Sequence, residues 1–196
     1  MTGTEGPGRE TLAQKRARKA AIDNPDVVLE AAARFLEARA RSMAEVRRRL
    51  GSAGYRPDLV DGAIARLTEL GILDDEAFGR AWVESRDRAR PRGEFALREE
   101  LRLKGLDRGL VDELLAERRE RDPSGGGPDE AAAVRLIARH ARALDRIAEP
   151  RLRRARAYAI LARNGFPPSV CAALAQRVVT DAADADFDLE IAEDRT

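Results

Sequence analysis

One turn occurs three times in this sequence and constrains the fold more than any other feature. In each copy a leucine is followed four residues later by a glycine and then by a hydrophobic residue. The copies are Leu50-Gly54-Tyr55, Leu101-Gly105-Leu106 and Leu161-Gly165-Phe166. Glycine is typical of a helix C-cap because it adopts left-handed backbone without a Cβ clash. Recurrence of this turn, with apolar residues at helical spacing around it, predicts a tandem array of one helical unit.

The amino-acid usage favours helices throughout. Aromatic residues make up 4% and hydrophobic residues 43% of the chain, so the core is built from Ala, Leu, Val and Ile. Charged residues add 36%, and no run of alternating β-branched residues predicts a strand. We expect an all-α fold in which three tandem three-helix repeats form an elongated, curved modular array.

Composition shifts divide the chain. We expect a flexible basic N-terminal tail over 1–26, repeats over 27–73, 74–122 and 129–180, a Gly/Pro hinge over 123–128, and an acidic disordered C-terminal tail over 181–196. The hinge predicts that the third repeat moves most. With tails and hinge excluded, the pattern predicts nine helices.

Local signals mark several helix starts. Ser42 with Glu45 three residues later has the form of a capping box. Asp74 and Asp75 begin another helix, because carboxylates cap exposed amides and meet the positive end of the helix dipole. A metal site at this acidic pair is the weaker interpretation, since no third ligand lies nearby in the sequence.

We find no catalytic residue set, no metal site and no cofactor motif. His140 and Cys171 are the only residues of their kinds, and the predicted helix face of Cys171 indicates a buried structural thiol. The glycine run Gly125–Gly127 lacks the Lys-Ser/Thr of a phosphate-binding loop. We therefore expect a protein that is not an enzyme.

No apolar run approaches the length of a membrane span, and the N-terminus has no apolar signal region. We expect a cytoplasmic protein.

Basic residues precede each repeated glycine, on the second helix of each repeat. As candidate partner-binding residues we take Arg47, Arg48, Arg98, Arg102, Lys104, Arg151, Arg153, Arg154 and Arg163. A solvated face with interspersed glutamates explains any single cluster, whereas three clusters at matching positions favour a repeated interaction surface. A helix, a tight turn and a second helix also have the outline of a helix-turn-helix, so direct DNA binding is an alternative.

Three stretches resemble the RecX family of regulatory proteins. Arg41-Ser42 through Gly54-Tyr55 resembles its RS-x-x-E-[LV]-x3-L-x3-G-[FY] stretch, and Gly71 through Phe78, with Trp82 behind it, resembles its G-[LIY]-[LI]-[DN]-D-x-x-[FY]-A signature. The run from Leu101 to Leu106 is similar to its L-x2-KG-[IVL] motif, and Arg163 to Phe166 to the turn of its last repeat. Together the resemblance covers about residues 27–180.

The resemblance implies an all-helical modulator of the RecA recombinase. Such a protein binds the RecA–DNA filament and restrains ATP hydrolysis, strand exchange and the co-protease activity of the SOS response. It implies a protein partner. We also expect no cofactor, a monomer and weak binding of single- or double-stranded DNA. Direct DNA binding and a helical scaffold for another protein stay open as alternatives.

Overall fold

The computed structural model describes residues 10–121 and 127–193, with the backbone alone over 181–193. Within those residues the chain is all-helical and forms no strand. The helices are α1 (Leu12–Ala20), α2 (Pro25–Glu37), α3 (Met43–Ala53), α4 (Pro57–Glu69), α5 (Asp75–Ala89), α6 (Glu94–Leu103), α7 (Arg108–Glu120), α8 (Gly127–Asp145), α9 (Pro150–Arg163) and α10 (Pro168–Glu193). None of these helices is long and apolar enough to cross a membrane.

The chain divides into two compact units. The first comprises Met1–Phe78 with the turn Lys104–Leu106, and the second comprises Gly79–Leu103 with Asp107–Thr196. In the first unit α2, α3 and α4 pack on one another, and α1 packs on α3. Its core is a single cluster of buried residues: Val28, Ala32, Val46, Leu50, Val60, Ala63, Ile64, Leu67 and Leu73.

The second unit holds two sets of packed helices. One set pairs α6 with α7, and the other packs α8, α9 and α10 on one another, with α7 touching α8. The core of the α8–α10 set consists of Ala132, Ala133, Leu136, Leu144, Ala157, Ile160, Leu161, Phe166, Cys171, Leu174 and Ala175.

The repeated glycines end their helices as predicted. Gly54, Gly105 and Gly165 have φ angles of 102°, 85° and 79°, which is the left-handed region. The leucine four residues before each glycine is buried in its core. Ser42 forms the predicted capping box with Glu45 at the start of α3.

Residues 12–20 correct the expectation of a flexible tail over 1–26. They form α1, whose start is fixed by a capping box between Thr11 and Gln14. The helix has no buried residue, so the apolar periodicity used to find helices does not reveal it. Residues 1–9 lie outside the described part of the chain.

The C-terminal prediction covers residues 181–196. Backbone over 181–193 continues α10 and is helical, and residues 194–196 lie outside the described part of the chain. No glycine or proline interrupts this stretch, and alanine, leucine and glutamate favour helix. Within the predicted hinge over 123–128, Gly127 and Pro128 begin α8, and the other residues lie outside the described part.

Candidate interaction surfaces

Each repeated glycine turn packs against the side of another helix, in a contact that we call a glycine joint. In the first unit the Gly105 turn meets Ala44 in α3, and the Gly54 turn meets Arg16 in α1. In the second unit the Gly165 turn meets Ala96 in α6. A Cβ on any of these glycines would overlap the facing helix. The glycine is therefore required twice, for its backbone conformation and for this close approach.

Two glycine joints share a hydrogen bond to the residue before the glycine. Ser42 donates its hydroxyl to the carbonyl of Lys104 at 2.5 Å, and the amide of Gly93 donates to the carbonyl of Asn164 at 2.9 Å. Ser42 and Gly93 both lie twelve residues before their own repeated glycine. The same position of the first and second repeats thus receives a turn, which makes the joint a repeated structural element.

Glu45 fixes the joint at Gly105 electrostatically. Its carboxylate accepts hydrogen bonds from the Nζ of Lys104 at 2.9 Å, from Arg39 at 3.0 Å and from the amide of Ser42 at 3.3 Å. Burial alone raises the pKa of Glu45, but these bonds outweigh it and lower the pKa to about 2. Lys104, a candidate for partner binding, is thus held inside the first unit.

Asp74 and Asp75 accept hydrogen bonds from backbone amides of two different helices. The Oδ1 of Asp74 accepts the amides of Glu76 and Ala77 at 2.8 and 3.0 Å, which confirms it as the cap of α5. Asp75 instead accepts the amide of Met43 at 2.8 Å, at the start of α3. Burial, the largest influence, raises the pKa of Asp75. Asp74 therefore caps α5, whereas Asp75 links α5 to the start of α3.

Two candidate arginines form equivalent ion pairs within their repeats. Arg47 pairs with Asp61 at 2.9 Å, and Arg98 pairs with Asp112. In both cases the arginine lies seven residues before the repeated glycine and the aspartate seven after it. The hydrogen bond to Asp112 raises the pKa of Arg98. These arginines therefore brace the second helix of a repeat against the third.

The other candidate residues differ in what they contact. Arg153 and Arg163 donate to the backbone carbonyls of Ile147 and Ala159, while Arg154 donates to the Oε1 of Gln176. The side chains of Arg102 and Arg151 are exposed and have no hydrogen-bond or ion-pair partner among the described residues. Arg48 is exposed and has an interaction partner.

The third repeat lacks the arginine–aspartate brace and has a groove in its place. Tyr158 and Ala172 occupy the two positions seven residues from Gly165. The side chain of Tyr158 is 39% exposed. It lines a groove of about 550 Å³ between α9 and α10, together with Arg151, Arg154, Gln176 and Val179. This groove combines an aromatic ring with two guanidinium groups.

Trp82 has a structural role in the second unit. Its indole Nε1 donates to Glu100 at 2.8 Å, and the guanidinium of Arg86 lies 4.1 Å from the ring centroid. Arg86 also donates to the same carboxylate at 2.6 Å. Phe78, the neighbouring motif residue, is buried. The Trp82 and Arg86 contacts to Glu100 therefore join α5 to α6.

Sequence reasoning missed a buried cation. Arg118 is 4% exposed and pairs with Asp87 at 2.9 Å and with Asp129 at 2.7 Å. Burial lowers the pKa of Arg118, but the two carboxylates outweigh that effect and raise it. Asp129 also accepts the amide of Glu94. This network connects α5, α7 and α8 within one compact unit.

The described residues contain no group of three His, Cys, Asp or Glu side chains that could hold a metal ion. Cys171 is buried, as predicted, and its thiol donates to the carbonyl of Phe166 at 3.4 Å. Burial raises the pKa of this thiol, which favours its protonated form.

Comparison with known proteins gives a consistent match. Residues 29–67 match the family model for the first three-helix domain of RecX, and residues 74–115 match the model for the second. The "Regulatory protein RecX" of Deinococcus radiodurans is 36% identical over 166 residues, which cover 84% of this chain and 75% of that protein. That of Mycolicibacterium vanbaalenii is 43% identical over 83 residues, 42% of this chain and 45% of that protein.

The fold agrees with a solved structure. The crystal structure of RecX from Lactobacillus salivarius superposes with a TM-score of 0.65, at 18% identity, over 80% of this chain and 97% of that one. At this identity the likeness supports the fold: helical, and built of repeated three-helix domains.

Proposed function

This chain belongs to the RecX family of regulatory proteins, and from that premise we propose that it binds the RecA–DNA filament and restrains RecA. The restrained activities are ATP hydrolysis, strand exchange and the co-protease activity of the SOS response. In this proposal the protein works in the cytoplasm by binding alone, without a chemical step of its own.

The observation that carries the proposal is the repetition of one joint along the chain. A filament is a periodic partner, and a chain built from equivalent units can present equivalent contacts to successive subunits. Weak contacts add strongly once the first has formed, because the others then act at high effective concentration. Gly54, Gly105 and Gly165 mark the equivalent positions.

The ion pairs change which basic residues we assign to the filament. Arg47, Arg98 and Lys104 have carboxylate partners within their own units, so each contributes less to an outside partner. Arg102 and Arg151 are exposed, and their side chains have no hydrogen-bond or ion-pair partner among the described residues. We assign the main contacts to these two arginines and to the groove beside Arg151.

The groove of the third repeat fits an acidic protein segment with an apolar anchor. Arg151 and Arg154 supply charge, and Tyr158 with Val179 supplies apolar surface. Interfaces typically concentrate binding energy on such aromatic and arginine residues. An acidic loop on the outside of the filament is the partner that this chemistry recognises.

Charge reversal tests the assignment. The variant R102E/R151E is expected to bind RecA filaments at least tenfold more weakly in a co-sedimentation assay. R66E/R121E is a matched control, because both arginines are exposed and paired with Glu69 and Glu117 inside the protein. Equal binding of both variants would remove the proposed contact residues, and circular dichroism checks that each retains its helices.

The alternative function from the sequence analysis is direct DNA binding by helix-turn-helix-like units. It predicts tight, salt-sensitive binding of bare duplex DNA that is lost in R102E/R151E. If the protein instead modulates RecA, this variant should lose filament binding, while any weak affinity for duplex DNA should change little. A salt titration with duplex DNA in the absence of RecA separates the two.

A further inference from the structure

A strongly basic cleft lies between α1 and α3 in the first unit. Two adjoining grooves of about 510 and 240 Å³ form it, and they share Lys19, Arg49 and Ala53. The larger groove is also lined by Lys15, Arg16 and Ser52. The cleft is independent of the positions in the proposed function, since no residue assigned there lines it.

Most of the cations in the cleft have no internal carboxylate. Two of them are paired: Arg18 with Glu10 at 3.1 Å and Arg34 with Glu30 at 2.6 Å. Lys15, Arg16, Lys19 and Arg49 form no ion pair with any carboxylate in the part of the chain that the structure describes. By contrast, Arg47 and Arg66 elsewhere in the first unit are paired with Asp61 and Glu69. The cleft thus concentrates positive charge that the fold itself does not neutralise.

Aromatic rings hold two of these cations in place. The Nζ of Lys19 lies 4.8 Å from the ring centroid of Tyr55, and the guanidinium of Arg49 lies 5.7 Å from that of Phe35. A cation over a ring keeps its charge and loses side-chain freedom. Lys15 and Lys19 lie one helical turn apart, about 5–6 Å at their Cβ atoms. Lys15 and Lys19 therefore lie in line along α1, with Lys19 and Arg49 held by rings beside them.

Gly54 is the reason that the cleft exists. A Cβ at this position would lie 2.8 Å from the Cα and carbonyl oxygen of Arg16, so any side chain would push α1 away from α3. At Gly105 and Gly165 the glycine joint contacts a helix of the preceding repeat, whereas at Gly54 it contacts α1. The first copy of the repeated turn consequently places a basic helix beside α3.

We propose that this cleft binds the phosphate backbone of single-stranded nucleic acid. A cluster of unpaired cations recognises a linear polyanion through its phosphates. The two narrow grooves, of about 510 and 240 Å³, suit one extended strand better than the two strands of a duplex. The proposal goes beyond the proposed function, because it requires no RecA.

Neutralising these cations tests the site. Full-length K15Q/R16Q/K19Q is expected to bind a fluorescent 20-residue oligo-dT at least tenfold more weakly than the unmodified protein. The slope of log affinity against log salt should fall by about 2, because three phosphate contacts contribute about 0.7 each on a single strand. The control R66Q/R108Q/R121Q removes the same charge from residues paired with carboxylates and should change affinity less than about twofold.

A second variant tests the cleft without changing charge. G54A is expected to weaken oligo-dT binding because α1 must shift. G71A is its control, with a φ of 67° and no heavy atom within 4 Å of the added Cβ. Unaltered oligo-dT affinity in both K15Q/R16Q/K19Q and G54A would overturn the proposal.

Competition identifies the ligand class. Polyphosphate should displace oligo-dT, since it offers the same phosphate chemistry, while a 20-base-pair duplex and poly-glutamate should compete at least tenfold less well. Poly-glutamate that competes as well as oligo-dT would assign the cleft to an acidic protein segment instead. All of these assays omit RecA, so their failure leaves the filament proposal to be judged by its own variants.

Discussion

Arg47 and Asp61 lie seven residues on either side of Gly54 and form an ion pair of 2.9 Å between Nη2 and Oδ1. The second repeat reproduces the pair with Arg98 and Asp112 around Gly105. Equivalent ion pairs within the first two repeats thus account for Arg47 and Arg98, two of the candidate partner-binding residues. The basic residue that recurs on those two helices therefore has a structural role, which is to pair with the next helix.

A double-mutant cycle on R47A and D61A tests this brace. Both side chains are more than half exposed, so we expect a coupling of about 0.2–1 kcal/mol in chemical denaturation. Filament affinity of R47A should stay within about twofold of the unmodified protein. Zero coupling together with a large loss of filament binding would make Arg47 a contact residue.

The glycine joints predict a ranking of alanine substitutions. G71A places a Cβ in open space at a φ of 67°, so it carries only the cost of left-handed backbone, about 1 kcal/mol. G105A and G165A carry the same cost and also overlap Ala44 and Ala96. We expect both to lower the free energy of unfolding by at least about 2 kcal/mol, with G165A the worse because its Cβ meets the backbone of Ala96. Equal losses in all three variants would show that the joints are not tightly packed.

Much of this fold follows from local signals in the sequence. The Leu50-Gly54 spacing, the Ser42 capping box and the Asp74 cap each have a short-range cause, and the structure has all three. Helix α1 escapes the same reasoning because it has no buried face, although Thr11 and Gln14 carry a detectable capping box. Arg118 escapes it because its partners, Asp87 and Asp129, lie 31 and 11 residues away in sequence.

Candidate contacts were harder to predict than the fold. A basic residue on a helix gives no local sign of whether it is paired inside the protein. The seven-residue offset of Asp61 and Asp112 from their glycines is a usable signal once two repeats are aligned. The same alignment shows Tyr158 and Ala172 at the positions where the third repeat departs.

Acid should weaken the joint at Gly105 through Glu45. Its pKa is about 2 in the folded protein against 4.5 ordinarily, so its contribution is fully present above pH 4.5 and is lost as pH falls toward 2. That contribution is on the order of 3 kcal/mol. The unfolding free energy of the unmodified protein should therefore fall more steeply than that of E45Q between pH 4.5 and 2. Parallel pH profiles would contradict the role of Glu45.

Arg118 should be the most costly single cation to remove. R118M leaves the carboxylates of Asp87 and Asp129 partly buried without their partner, and we expect a loss of about 3–5 kcal/mol. R119M is the matched control: Arg119 is half exposed and pairs with Glu94, so its loss should be below about 1 kcal/mol. Similar unfolding free energies for the two variants would contradict the proposed network.

The central claim concerns RecA, and RecA ATP hydrolysis on single-stranded DNA tests it most directly. We predict that one copy of this protein per about ten RecA subunits lowers the steady-state rate of hydrolysis, because filament contacts add through effective concentration. The R102E/R151E variant should require at least tenfold more protein for the same effect. A rate that stays unchanged at equimolar, correctly folded protein would contradict the account.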